Sequence, residues 1–131
     1  MTTFQKSLVV TIAIGVPAFF LGRIIWPDPP GIVIPTTMQL ILFMGIAAIE
    51  SLAFGGAIAF LLFAPSMLKK QTRVFWSLAW LLGNWWPHDN FHRMIGMNLN
   101  PLIAIEYAFH ATLVIATVIV VRFVIQKMNT R

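Results

Sequence analysis

Two pairs of chemically active residues recur at the same spacing in this chain. His88 and His92 are four residues apart, and so are Glu106 and His110. On a helix this spacing places both members of a pair on one face. Imidazole and carboxylate donors without thiolates suit iron, copper, zinc or manganese, and the sequence contains no cysteine. The spacing therefore predicts a transition-metal site, with haem b ligated by His110 and an opposing histidine as the less favoured form.

Two glutamates lie inside apolar stretches, where a carboxylate is unexpected. Glu50 stands in GIAAIESLAFGG and Glu106 in AIEYAFH. An ionisable residue near the middle of a membrane helix costs at least ~2.5 kcal/mol, and such a residue usually faces a partner or a cavity. With a rise of about 1.5 Å per residue, both glutamates fall at depths that the histidines can also reach. We therefore expect Glu50 to complete a ligand set with His88, His92, Glu106 and His110.

Four neighbouring residues are expected to support the site or the fold without binding the metal. Asp89 and Arg93 share a helix face and are expected to pair, and Tyr107 offers a hydroxyl beside Glu106. A metal-free alternative stays open, in which the histidines near position 90 cap a helix and Glu106 bonds to His110 to join helices. Asn84 is a candidate polar partner for Glu50 in this metal-free alternative, as is Ser51.

The composition identifies the elements that must position these residues. The chain has 131 residues, of which 59% are hydrophobic and 10% are charged, too few charges to cover a soluble domain. A membrane-spanning helix needs about 20 mainly apolar residues. Four stretches meet or approach this length, about 7–26, 37–64, 72–94 and 100–126. The sequence predicts an all-α polytopic membrane protein, one domain over residues 1–131 with four transmembrane helices in a compact bundle.

The basic residues predict the orientation of this bundle. Seven of the nine lysines and arginines fall on one side of the predicted helices: Lys6, Lys69, Lys70, Arg73, Arg122, Lys127 and Arg131. Cytoplasmic loops carry such an excess, so both termini are expected in the cytoplasm and the Glu/His residues in the extracytoplasmic half. Trp26, Trp85 and Trp86 are expected in the outer aromatic belt. Because topology explains the net charge of +5, no nucleic-acid partner is expected.

Three functions are compatible with these features. The favoured one is a metal site for redox or metal-assisted chemistry. The second is a non-catalytic accessory subunit of a respiratory or photosynthetic membrane complex, ligating haem or a pigment. The third is a proton-coupled carrier that uses Glu50 and Glu106. The short chain favours a homo-oligomer or a larger complex in a bacterial-type inner (plasma) membrane, and the sequence does not decide whether the protein is an enzyme.

Overall fold

The computed structural model of the protein describes residues 1–31, 35–64, 70–95 and 102–130. These residues form the helices α1 (Thr3–Ile25), α2 (Thr37–Phe63), α3 (Thr72–Gly83), α4 (Trp85–Ile95) and α5 (Ile103–Asn129). Because a single residue separates α3 from α4, the described residues form four helical units. No strand occurs within the described ranges, which confirms the all-α prediction.

Three helices have the length and apolar character needed to cross a membrane. These are α1, α2 and α5, with 23, 27 and 27 residues. Their exposed apolar side chains imply contact with a lipid bilayer, so the prediction of a multi-span membrane protein is confirmed. The predicted third transmembrane helix is instead divided into α3 and α4, with 12 and 11 residues. Each segment alone is shorter than the roughly 20 residues that a spanning helix needs.

The division between α3 and α4 follows from local backbone chemistry. Pro87 has no N–H, so the carbonyl of Gly83 loses its helical partner, and the proline ring also crowds that carbonyl. Asn84 keeps helical dihedral angles, with φ −88° and ψ −20°. Its carbonyl accepts a hydrogen bond from the backbone N–H of His88 at 3.1 Å. The interruption is therefore confined to one residue, and the chain keeps a helical path through it.

Contacts at both ends show that α3 and α4 together follow the length of their neighbours. Phe75 of α3 stacks on Phe60, close to the end of α2, with ring centroids 5.2 Å apart. Arg93 of α4 donates hydrogen bonds to the carbonyl oxygens of Gly22 and Trp26, at the end of α1, at 3.1 and 2.8 Å. The pair thus extends from the end of α2 to the opposite end of α1.

Glycines bring α1 and α2 into close backbone contact. A Cβ added to Gly15 would lie 2.9 Å from the carbonyl oxygen of Ser51. A Cβ at Gly55 would overlap the carbonyl oxygen of Thr11 and lie 2.8 Å from the nitrogen of Gly15. Small residues allow such close approach in membranes. Within the described ranges α5 packs on α3 and its backbone does not approach α1 or α2, so the arrangement is more open than the compact bundle predicted.

Trp86 fixes the orientation of α4 and does not belong to an aromatic belt. Its side chain is buried, and its indole N–H donates to the carbonyl oxygen of Ala18 at 3.1 Å. Its ring contacts those of Trp26 and Phe54, with centroids 5.2 and 4.7 Å away. A helix turns by about 100° per residue, so anchoring Trp86 on α1 directs the face that carries His88 away from α1 and toward Glu106 of α5.

Candidate metal centre

Helix α4 and the first turns of α5 bring four of the five predicted ligands together. We call His88, His92, Glu106 and His110 the His–Glu cluster. The Nε2 atoms of His88 and His92 lie 3.4 and 3.1 Å from Oε2 of Glu106. The same two Nε2 atoms are 2.9 Å apart. Three donor atoms therefore form a triangle, and the side chains of His88 and Glu106 are only 10% and 9% exposed.

His110 completes the cluster from its more exposed side. Its Nδ1 lies 3.6 Å from Oε2 of Glu106 and 2.8 Å from the backbone carbonyl oxygen of the same residue. One donor atom each from His88, Glu106 and His110 lies within 4.8 Å of the other two, so this group can hold a metal ion. The His110 side chain is 57% exposed, so one edge of the cluster is open.

The hydrogen-bond partners of two imidazoles indicate which ring nitrogen of each carries the proton. Nδ1 of His88 lies 3.2 Å from Oδ1 of Asp89, which is an acceptor when ionised. Nδ1 of His110 faces the Glu106 carbonyl, which only accepts. Both Nδ1 atoms are therefore expected to carry the proton. In neutral His88 the unprotonated Nε2 then faces the other two donor atoms of the triangle, and metal-binding histidines commonly have such a carboxylate or carbonyl partner.

An aromatic ring that the sequence does not single out holds His88 in place. Phe109 stacks on the imidazole of His88, with centroids 4.0 Å apart and an angle of 4° between the rings. Trp80 lies behind Phe109 at 5.9 Å and donates a hydrogen bond to Thr112 at 3.1 Å. The chain contains 11 phenylalanines, so composition gives no reason to choose this one. Its place three residues after Glu106 is the single sequence signal that it faces the cluster.

Glu50 lies in a different cavity from the His–Glu cluster. This second cavity has a volume of about 660 Å³ and is also lined by Asp89, Arg93, Arg23 and Asp28. Asp28 pairs with both arginines, at 3.3 Å to Arg23 and 2.8 Å to Arg93. We expected Arg93 to pair with Asp89, but among the described residues it pairs with Asp28. The structure does not bring Glu50 to the His–Glu cluster. Its role as a ligand is untested and stays a prediction.

The two remaining predicted residues lie in contrasting environments. The side chain of Asn84 is buried, and it lines a cavity of about 520 Å³ that His88 and Glu106 also line. Tyr107 follows Glu106 in the chain, but its side chain is 69% exposed and lies on the surface of the protein.

The His–Glu cluster offers nitrogen and oxygen donors that can bind either a metal ion or a shared proton. Comparison of the chain with known protein families, curated proteins and solved structures gives no significant match.

Proposed function

We propose that the His–Glu cluster binds a first-row transition metal and that this metal supports redox or metal-assisted chemistry at the membrane. The observation that carries the proposal is the triangle of donor atoms formed by His88, His92 and Glu106, with edges of 2.9, 3.1 and 3.4 Å. Nitrogen and oxygen ligands bind such metals at about 2.0–2.2 Å, so two ligands of one ion are separated by about 2.8–3.6 Å in octahedral or tetrahedral geometry. All three edges lie in this range.

The donor set favours a mononuclear site with free coordination positions. Two histidines and one carboxylate on one side of a metal form the arrangement typical of non-haem iron(II) sites, and zinc, manganese and copper accept the same donors. His110 is a fourth donor if its hydrogen bond to the Glu106 carbonyl is exchanged for the metal. A haem held between His88 and His92 is a poorer fit, because axial nitrogens lie about 4 Å apart across the iron, whereas the Nε2 atoms of these two histidines are 2.9 Å apart.

The distribution of charge supports an extracytoplasmic position for this site. The cluster lies near the end of α4 and the start of α5. The opposite end of the helices carries Lys6, Lys70, Arg73, Arg122 and Lys127. Since cytoplasmic ends of membrane proteins are rich in such residues, the cluster would face the outer side. Substrates would then reach it from the bilayer or from the extracytoplasmic space.

The metal content of matched carboxylate variants tests the proposal. Protein purified in mild detergent is expected to contain about one iron, copper, zinc or manganese ion per chain. Glu106→Gln keeps the shape of the side chain but replaces a charged ligand, so most of the metal should be lost. Glu50→Gln is the matched control, because the same change is made in the other cavity. Absence of metal from the wild type, or equal metal content in both variants, would refute the site as drawn.

The proton-carrier hypothesis makes a different prediction for the same two variants. A carrier that uses Glu50 and Glu106 needs no metal, and both substitutions should then abolish transport equally. The two glutamates line separate cavities, on helices whose backbones do not approach each other in the described ranges. A proton relay between the two glutamates would therefore run through Asp89, which lines the cavity of Glu50, and His88, whose Nδ1 lies 3.2 Å from Oδ1 of Asp89.

A further inference from the structure

A mainly apolar cavity extends from the His–Glu cluster between α2, α3, α4 and α5. Its volume of about 520 Å³ falls within the roughly 300–1,000 Å³ of small-molecule sites. Aromatic and aliphatic side chains form most of its wall, among them Phe54, Ile58, Trp76, Trp80 and Phe109. Asn84, His88 and Glu106 supply its polar groups. The cavity therefore suits a molecule with a large apolar body and few polar atoms.

The amide of Asn84 is the strongest indication that a ligand occupies this cavity. The residue is only 4% exposed. Neither its Oδ1 nor its Nδ2 has a hydrogen-bond partner among the residues that the structure describes. Buried amides in native proteins nearly always have partners, since an unpaired one loses its hydrogen bonds to water without replacement. A suitable ligand must therefore offer Asn84 both a donor and an acceptor.

The unpaired amide of Asn84 lies one helical turn before His88 of the His–Glu cluster. Asn84 precedes His88 by four residues, and the backbone N–H of His88 donates to the Asn84 carbonyl. This spacing places both side chains on one helix face. A polar ligand group bound by Asn84 would therefore lie beside His88, while flat apolar parts would contact Trp80 and Phe109.

We infer that this cavity binds a lipid-soluble quinol, that is, an aromatic ring with hydroxyl groups and an apolar tail. One hydroxyl would donate to Oδ1 of Asn84 and accept from Nδ2, which satisfies both unpaired atoms. The ring would pack among aromatic side chains, and the tail would extend along the apolar wall. The quinol is then the substrate class of the metal site, and this part of the inference rests on the proposed function. Binding of the quinol itself requires no metal.

Binding of a decyl benzoquinol to the purified protein tests this inference. Binding is followed by tryptophan fluorescence, because Trp76 and Trp80 line the cavity. The wild type should bind the quinol saturably and more tightly than the corresponding quinone, which lacks the hydroxyl donor. Asn84→Leu keeps the size of the side chain but removes both polar atoms, so affinity for the quinol should fall at least tenfold. Thr117→Val, a control outside the cavity, should bind the quinol like the wild type.

Three results would overturn the inference: no saturable binding to the wild type, equal affinity in Asn84→Leu, or equally tight binding of decanol, which has the hydroxyl and tail but no ring. Metal content measured on the same samples separates this inference from the proposed function. Metal without quinol binding refutes the inference alone. Quinol binding that depends on Asn84 in protein without metal supports the binding site and refutes the proposed metal function.

Discussion

Replacing Gly55 with alanine should weaken the contact between α1 and α2 and, through it, the metal site. The new Cβ would overlap the carbonyl oxygen of Thr11 and lie 2.8 Å from the backbone nitrogen of Gly15. Both obstacles are backbone atoms, so the two helices must move apart. Gly45 lies on the same helix, and a Cβ there has no heavy atom within 4 Å among the described residues. Gly45→Ala is therefore a matched control.

The expected magnitude follows from comparing the two variants. Alanine is favoured over glycine in a helix by about 1 kcal/mol, and this gain applies equally at both positions. Inserting a methyl group into a tightly packed contact costs about 1–3 kcal/mol. The free energy of unfolding of Gly55→Ala should therefore be about 1–3 kcal/mol lower than that of Gly45→Ala. Helix propensity cancels in this difference, so the difference reports the α1–α2 contact.

Denaturant unfolding in mild detergent, followed by circular dichroism, measures this difference. Metal affinity should also fall in Gly55→Ala, because α1 provides the carbonyl oxygens that hold Trp86 and Arg93 of α4. A displaced α1 would shift α4 and the histidines on it. Equal stability of the two variants would refute the close contact. A loss of stability without any change in metal affinity would refute the proposed coupling of α1 to the site.

Three further predictions concern α4, proton competition and topology. Trp86→Phe should lower the free energy of unfolding by about 1–3 kcal/mol, because the Ala18 carbonyl loses its buried donor. Trp85→Phe, at an exposed position, should change this free energy little in the same denaturant titration. Metal affinity measured by chelator competition should fall at least on the order of tenfold between pH 7.5 and 5, since protons compete for the imidazoles; an unchanged affinity would contradict histidine ligation. An impermeant thiol reagent should label Pro30→Cys in intact cells and Asn129→Cys only after permeabilisation, and the reverse pattern would overturn the orientation.

The sequence predicts the three long apolar helices well, because the length of an apolar stretch reflects the thickness of the membrane. The starts of α1 and α2 are also encoded locally, since Thr2 with Gln5 and Thr36 with Gln39 form capping boxes. The four-residue spacing of His88 and His92 correctly indicated a shared face. The predicted start of the last helix, residue 100, lies outside the described residues. The division at Asn84 was not predicted, although Pro87 provides its physical cause.

Depth alone could not predict which carboxylate joins the histidines. Glu50 and Glu106 both lie within apolar helices, but the direction of each side chain depends on which helices are neighbours. Close packing of Gly55 against α1 orients α2, and Glu50 then lines the cavity that contains Asp28. Helix α5 packs on α3, so Glu106 meets the histidines of α4. This order of neighbours depends on long-range packing that hydropathy and spacing do not encode.

X-ray absorption spectroscopy of the metal-loaded protein tests the central claim most directly. The spectrum should show nitrogen and oxygen ligands at about 2.0–2.2 Å from the metal, with outer scattering from at least two imidazole rings. The double variant His88→Ala with His110→Ala should lose most of the metal, because loss of a ligand typically exceeds the roughly 10–100-fold effect of outer partners. A ligand shell without imidazole, or full metal content in the double variant, would contradict the proposed site.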